Sequence, residues 1–267
     1  MNIRVLENIG KELDQIEKDY GVQILYACES GSRAWGFDSP DSDYDVRFIY
    51  LHRTEWYLKL SPGRDVIERT ASGGELDMSG WDLKKTLLLL KKSNPPLLEW
   101  IHSPIVYRDD GFLVSRLRVL AEQEYFSSLR SMYHYYHMAR GNYTKYLQGK
   151  DKVYAKKYFY VLRPILACVW LKHGLGIVPT EFIKLVNGVV TDPDLRTEIM
   201  KLFEEKRSGA EMRERDPIPV IDQFLDKWLG EYETLEGVLK VPQEREHFTD
   251  LDMVFKNFLT AVNGPRV

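Results

Sequence analysis

Strand-like segments in this chain are confined to the stretch before about residue 108, and everything beyond is patterned for helices. "VQILYAC" (22–28) is a short apolar run rich in β-formers. "YDVRFIY" (44–50) alternates Val46, Phe48 and Tyr50 against Asp45, Arg47 and Ile49. "RDVIERT" (64–70) is a candidate third strand, and "GGELDMSG" (73–80) a fourth, with Leu76 and Met78 on one face and Glu75, Asp77 and Ser79 on the other. Ahead of them, Ile3, Leu6, Ile9, Leu13 and Ile16 fall at helical spacing and predict an amphipathic helix over about 3–19, ending at Gly21. "WDLKKTLLLLKKSNPP" predicts another, stopped by Asn94-Pro95-Pro96. "FLVSRLRVLAEQEYF", "LRSMYHYYHMARGNYTKYLQ" and "KVYAKKYFYVLRPILACVWLKHG" then carry helical periodicity, punctuated by Gly and Pro. The expected fold is α+β over residues 1–107, followed by an all-helical C-terminal domain over 108–267. The 206–219 stretch, "KRSGAEMRERDPIP", reads as an exposed loop.

Composition bounds the function without naming it. The 267 residues are 44% hydrophobic and 29% charged with a net charge of −3, which suits a folded core and argues against a protein that coats nucleic acid by charge alone. No apolar run approaches the ~20 residues that cross a bilayer. The N-terminus carries acids and has no signal-peptide pattern. Cys28 and Cys168 sit in apolar stretches, as buried reduced thiols do, so a cytoplasmic protein is expected.

The sharpest chemistry lies between the first two strands. "GSRAWGFDSPDSDYD" places Gly31-Ser32 straight after an apolar strand, then a ten-residue polar loop, then Asp43-Tyr44-Asp45 leading into the next strand. Asp38 and Asp41 suit the loop as turn residues. Asp43 and Asp45 are two apart at a strand start, so their carboxylates are expected on one side. Like charges that close repel unless a cation sits between them, and Mg²⁺ is the natural partner because it takes oxygen ligands and shares its shell with phosphates. Gly31 lets the backbone approach an anion, and the Ser32 hydroxyl and nearby amides can donate to phosphate oxygens. A third carboxylate would complete a two-metal site; Asp77 is best placed, with Glu75 on the same face as the alternative. Asp82 falls at a helix start, where capping is its expected role. The pattern points to metal-assisted phosphoryl or nucleotidyl transfer.

Taken as a whole, "ESGSRAWGFDSPDSDYDVRFIY" resembles the active-site pattern of the DNA polymerase β-like nucleotidyltransferase superfamily. With "LDMSGWDLKKTLLLLKKSNPPLLEWIHSPIVY" and "YVLRPILACVWL" added, the chain more narrowly resembles the RlaP family, nucleotidyltransferases linked to RNA-repair operons, over about residues 25–175. The resemblance implies a polymerase-β-like palm with a small mixed sheet, ahead of the helical domain. It implies that Gly31 and Ser32 hold a nucleoside triphosphate such as ATP, that Asp43 and Asp45 bind catalytic Mg²⁺, and that Asp77 is the third acid. The implied reaction transfers a nucleoside monophosphate to an acceptor hydroxyl and releases pyrophosphate. RNA, such as a damaged or cleaved tRNA, is the acceptor the resemblance favours. Superfamily members also modify antibiotics, proteins and DNA ends, so a small-molecule or protein acceptor is the alternative, and an inactive nucleotide-binding module a further one.

In the helical half, "RSMYHYYHMARGNYTKYLQGKDKVYAKKYFYVLR" concentrates tyrosines, histidines and basic side chains. One reading is a surface over the nucleotide, with Tyr rings on a base and Lys156, Lys157 and Arg163 reaching the triphosphate. The other is a helix pair whose tyrosines cover a core and whose lysines face water. Lys157 and Arg163 are six apart and lie on nearly opposite faces of one straight helix. Arg163 sits in an apolar turn, where a partner or ligand is expected, and Pro164 beside it is expected to disturb the helix. Arg33 is a candidate contact for the terminal phosphate, or for a nearby aspartate. Trp35, Phe37 and Trp81 are expected to pack. His134 and His137 share a helix face but have no Cys or carboxylate at ligand spacing, so no metal is expected there.

Overall fold

The structure, a computed structural model, describes residues 3–61, 63–209, 214–236 and 249–263. Ile9, Leu13 and Ile16 form the buried stripe of α1 (Ile3–Tyr20), which turns into β1 (Val22–Glu29). The short α2 (Gly31–Trp35) opens the polar loop, which returns as β2 (Tyr44–His52). There follow α3 (Thr54–Tyr57), β3 (Val66–Ala71), β4 (Leu76–Asp82), α4 (Leu83–Lys91), α5 (Pro95–Ile101), β5 (Val106–Asp109) and α6 (Leu113–Leu120). The remainder is mostly helical: α7 (Ser128–Tyr146), α8 (Ala155–Lys172), α9 (Phe182–Val189), α10 (Pro193–Arg207), α11 (Pro219–Glu236) and α12 (Thr249–Asn263). Two short strands, β6 (Val153–Tyr154) and β7 (Glu214–Arg215), pair with each other. No described helix is long and apolar enough to cross a membrane.

The described residues fall into two compact units that alternate along the chain. The first is drawn from Met1–Gly31, Asp43–Tyr125 and Glu244–Val267, the second from Ser32–Ser42 and Phe126–Gln243. Sequence patterning suggests a single boundary after residue 107; the two units are each drawn from more than one stretch of the chain.

In the first unit a five-stranded mixed sheet runs in the order β3-β4-β2-β1-β5. Only β2 and β4 pair in parallel; the other neighbours are antiparallel. The period-two pattern sets the faces. Val46, Phe48 and Tyr50 from β2 and Leu76 and Met78 from β4 join Ile9, Leu13 and Ile16 of α1 in one core. Asp45, Arg47 and Asp77 therefore stand on the sheet face turned away from α1. Gly80 is opposite Phe48, and any side chain there would collide with the Phe48 ring, so the ring lies across bare backbone.

In the second unit α7 and α8 build a core with α9, α10 and α11, and Phe37 from the polar loop is inserted into it. Its ring lies 4.6 Å from Phe159, 5.6 Å from Phe182 and 6.5 Å from Phe203, with Trp35 at 5.5 Å. Packing is thus the role of Phe37 and Trp35, and Trp81 stacks on Trp100 at 3.6 Å in the first unit.

Several local expectations are corrected. Strands do not stop with the fourth: β5 pairs with β1 at the sheet edge, and the helical half holds the β6–β7 pair. Neither carries enough alternation to be seen in sequence, because backbone hydrogen bonds hold them, as in Glu29 N to Ile105 O at 2.9 Å. Asn94-Pro95-Pro96 does not merely end a helix; Pro95 opens α5, and the Asn94 side chain caps it by accepting from Leu97 N at 3.1 Å. Pro164 leaves α8 unbroken. The Tyr160 carbonyl, which loses its helical donor to Pro164, accepts instead from the Asn142 side chain at 3.0 Å. Of the 206–219 stretch, residues 210–213 lie outside the described residues, Arg207 ends α10 and Glu214–Arg215 form β7.

The burial of Phe37 has a measurable consequence. Phe37→Ala should cost about 3–5 kcal/mol, the usual loss for emptying a packed aromatic site, when unfolding is followed in urea. A loss below about 1 kcal/mol would mean the loop is not anchored by this ring.

Candidate active site

The parallel pairing of β2 with β4 sets Asp45 directly opposite Asp77. Neighbouring strands lie about 4.8 Å apart, so two carboxylates on the same face at one register position are forced together. Arg47, two residues on in β2, shares that face and answers the repulsion. Its Nη2 donates to Asp45 Oδ1 and to Asp77 Oδ2, each at 2.8 Å, and Nη1 donates to the Asp77 carbonyl at 2.9 Å. Asp45 is the more enclosed acid, with 28% of its side chain exposed against 54% for Asp77. Its pKa is raised: desolvation is the main cause, Arg47 opposes it, and the charges of Asp77 and Asp43 add to the rise.

The main chain closes tightly around Asp45. Gly31 has φ +58°, and a Cβ there would lie 2.0 Å from Asp45 Oδ2. Only glycine lets the backbone stand that close to the carboxylate. Ser30 N donates to the Asp45 carbonyl at 2.8 Å. Asp45 N donates to Glu29 Oε1 at 2.7 Å, and the other carboxylate oxygen of Glu29 accepts from the Tyr107 hydroxyl. Glu29 is fully buried, so β1 delivers a carboxylate whose work is to hold the start of β2 in place.

The predicted residues divide as follows. Gly31, Asp45 and Asp77 come together. Asp43 lies one residue ahead of β2 rather than on it, near enough for its charge to act on Asp45. Glu75 precedes β4 in an exposed turn and supplies its carbonyl to Tyr44 N at 2.9 Å. Asp82 caps α4 by accepting from Lys84 N at 2.8 Å, and its other oxygen takes the Tyr57 hydroxyl at 2.6 Å. Ser32 and Arg33 belong to the second unit, where Arg33 pairs with Asp38 at 3.0 Å and with the Ser42 carbonyl at 2.6 Å, bracing the loop. Arg163 is 3% exposed, stacked over Trp35 at 4.5 Å, with Nη2 donating to the Thr180 carbonyl at 3.3 Å. Lys157 is half-buried over the rings of Tyr146 and Tyr160, at 4.1 and 4.8 Å. The two cations on α8 thus serve different neighbours, as their six-residue spacing requires. His137 packs on Tyr133 at 4.1 Å.

Sequence reading missed Glu29 and Arg47. Each carried a faint signal, a charged residue at the end of or inside a run patterned for burial.

Among the described residues no three His, Cys, Asp or Glu side chains gather closely enough to hold a metal ion as they stand. The oxygens best placed to do so are engaged by Arg47. The donor set still fits a hard divalent ion: two in-register carboxylates with a third acid's charge beside them, and a bare Gly31 against Asp45 Oδ2.

The contact between Gly31 and Asp45 is directly testable. Gly31→Ala should lower stability by about 1–3 kcal/mol in chemical denaturation, combining a left-handed alanine with a clash against the carboxylate. Unchanged stability would mean that the loop does not press on Asp45.

Residues 5–257 match the family described as RlaP: RNA repair pathway DNA polymerase beta family. An uncharacterized protein of Bacillus subtilis (strain 168), YcgL, is 53% identical over 258 residues, which cover 96% of this chain and 97% of that protein. Among solved structures, a nucleotidyltransferase-like protein from Exiguobacterium sibiricum 255-15 is 11% identical over 95% of this chain and 90% of its own. Its TM-score of 0.31 is too low to bear on the fold. The family match and the Bacillus relative both span nearly the whole chain, which belongs to the RlaP family of polymerase β-like nucleotidyltransferases.

Proposed function

We propose that this chain is a Mg²⁺-dependent nucleotidyltransferase that moves a nucleoside monophosphate from a nucleoside triphosphate to a hydroxyl of an RNA acceptor. The observation that carries this reading is the in-register pair Asp45 and Asp77, closed on one side by Gly31. A pair of carboxylates held against each other on one sheet face, at a local electrostatic cost, is what a cation-binding enzyme needs and a structural sheet avoids.

Asp45 and Asp77, with Asp43, are the residues that would hold the ions. Bound there, a divalent pair supplies charge neutralisation on the phosphates and acidifies the attacking hydroxyl. The chain's own groups do the rest. Gly31 and Ser32 present amides and a hydroxyl to the triphosphate, and Glu29 fixes Asp45 at the correct depth. Arg33 and Arg163 brace the loop that follows, Arg33 through Asp38 and Arg163 through Trp35. The acceptor oxygen attacks the α-phosphorus, the bond to the β-phosphate oxygen breaks, and pyrophosphate leaves with that electron pair. A carboxylate oxygen of Asp77 takes the hydroxyl proton.

RNA as the acceptor is supported by the family description and by the charge of one helix pair. From residue 126 to residue 172 there are nine Lys and Arg against one acid, Asp151, in a chain of net charge −3. Salt bridges to α11 engage Arg140 and Lys172, but Lys145 and Lys157 face the rings of Tyr146 and Tyr160 instead. Basic side chains laid over the half-buried Tyr146 and the exposed Tyr160 suit single-stranded nucleic acid, with phosphates on the cations and bases on the rings.

Two experiments test the reading. Purified protein given α-labelled nucleotides and Mg²⁺ should label a cellular RNA fraction, and Asp45→Asn or Asp77→Asn should each lower the rate by about 10³-fold or more. Label that resists nuclease but yields to protease would move the acceptor to protein. A variant that labels like the parent would refute the site. Separately, Lys157→Ala should weaken binding of single-stranded RNA and reduce the slope of log affinity against log salt by about 1. An unchanged slope would remove α7 and α8 from the acceptor surface.

A further inference from the structure

We propose that Arg47 is the built-in counter-ion of the Asp45–Asp77 pair, and that a divalent cation enters this site only by displacing it. The inference rests on the reading above that this pair is the cation site, and it adds a competitor that the reading does not contain.

One guanidinium nitrogen, Nη2, is shared equally by two carboxylates on different strands, at 2.8 Å from each. The rest of the group is pinned as well: Nη1 donates to the Asp77 carbonyl at 2.9 Å and to the Val46 carbonyl at 3.2 Å. The side chain is 17% exposed, so it is a packed group and not a waving surface arginine. Charge-assisted bonds of this kind are the strong ones, and the one to Asp45, the more enclosed acid, is the less screened by water.

Arg47 also stands where an ion would stand. The oxygens it holds, Asp45 Oδ1 and Asp77 Oδ2, come one from each strand and meet at a single nitrogen. A Mg²⁺ ion needs oxygens at about 2.1 Å and cannot share them with a guanidinium whose charge is already there. Ion entry is therefore an exchange, in which one positive charge leaves the pair as two arrive. The cation-free protein gains a paired, ordered site from this arrangement, and the ion must overcome it. Arg47 acts on the ion through Asp45 and Asp77, so it is a positioning residue that sets cation affinity.

The test is a Mn²⁺ titration of the full chain, read from the free-ion signal in electron paramagnetic resonance, on the parent, Arg47→Met and Asp77→Asn. Arg47→Met keeps the length of the stem and removes the charge. It should bind Mn²⁺ at least tenfold more tightly than the parent, melt lower in EDTA, and gain more melting temperature from Mn²⁺. Equal or weaker affinity in Arg47→Met, with Asp77→Asn still impaired, overturns the counter-ion role and leaves the cation site standing. If the parent, Arg47→Met and Asp77→Asn all bind alike, the pair is not the site and both readings fall. A second measurement needs no variant: the Arg47 Nε–H resonance of the parent should shift on saturation with Mg²⁺, and a resonance that stays in place overturns the proposal.

Discussion

Everything at the candidate site depends on one pairing, the parallel register of β2 with β4. It sets Asp45 against Asp77 at the same height on the same face, and a slip of one residue would send one of them into the α1 core. That slip is prevented from behind. Val46, Phe48, Tyr50, Leu76 and Met78 are buried against α1, and Gly80 admits only the Phe48 ring at its position. The acids are thus held close by a hydrophobic core on the opposite side of the sheet. Their own mutual interaction is unfavourable, and it is the core that makes it tolerable.

A pair of that kind needs compensation, and two groups provide it differently. Arg47 neutralises the pair from the same face of β2. Glu29, buried in β1, adds no positive charge but ties down the amide of Asp45, with the Tyr107 hydroxyl on its far oxygen. The result is a small polar network across four strands, in which each carboxylate has a defined orientation before any ligand arrives. Preorganisation of this sort is what separates a binding site from a chance cluster of acids.

Much of this was legible in the sequence, for physical reasons that can be named. The alternation of β2 and β4 showed which residues would face the core and which would face Asp45 and Asp77, because the pleat has a strict period of two. Gly31 stood out because of its place between an apolar strand and a polar loop, and its clash distance explains why no other residue serves. The partner strand of β2 was not legible: nothing in a strand says that it will skip β3 and lie parallel to β4. Asp43 and Asp45 are expected on one side of the strand; Asp43 lies one residue ahead of β2 with its charge acting on Asp45, and the register adds Asp77 directly opposite Asp45 across the ladder. Arg163 was legible as a buried charge needing a partner, yet the partner turned out to be Trp35 and a carbonyl, which no spacing rule encodes. β5, four residues with little burial, left no pattern to read because its place is held by main-chain bonds. The family match and the 53% identical Bacillus protein agree with the family that the Gly-Ser and Asp-x-Asp pattern resembles.

The most direct test of the central claim is a crystal structure of the protein with Mn²⁺ and a non-hydrolysable nucleoside triphosphate analogue, with Mn²⁺ located by its anomalous scattering. The account predicts an anomalous peak bonded to carboxylate oxygens of Asp45 and Asp77, with the Arg47 guanidinium withdrawn and the phosphates on the Gly31 side. Arg47 still bridging the two carboxylates in the presence of both ligands, with Mn²⁺ bound elsewhere, would contradict it.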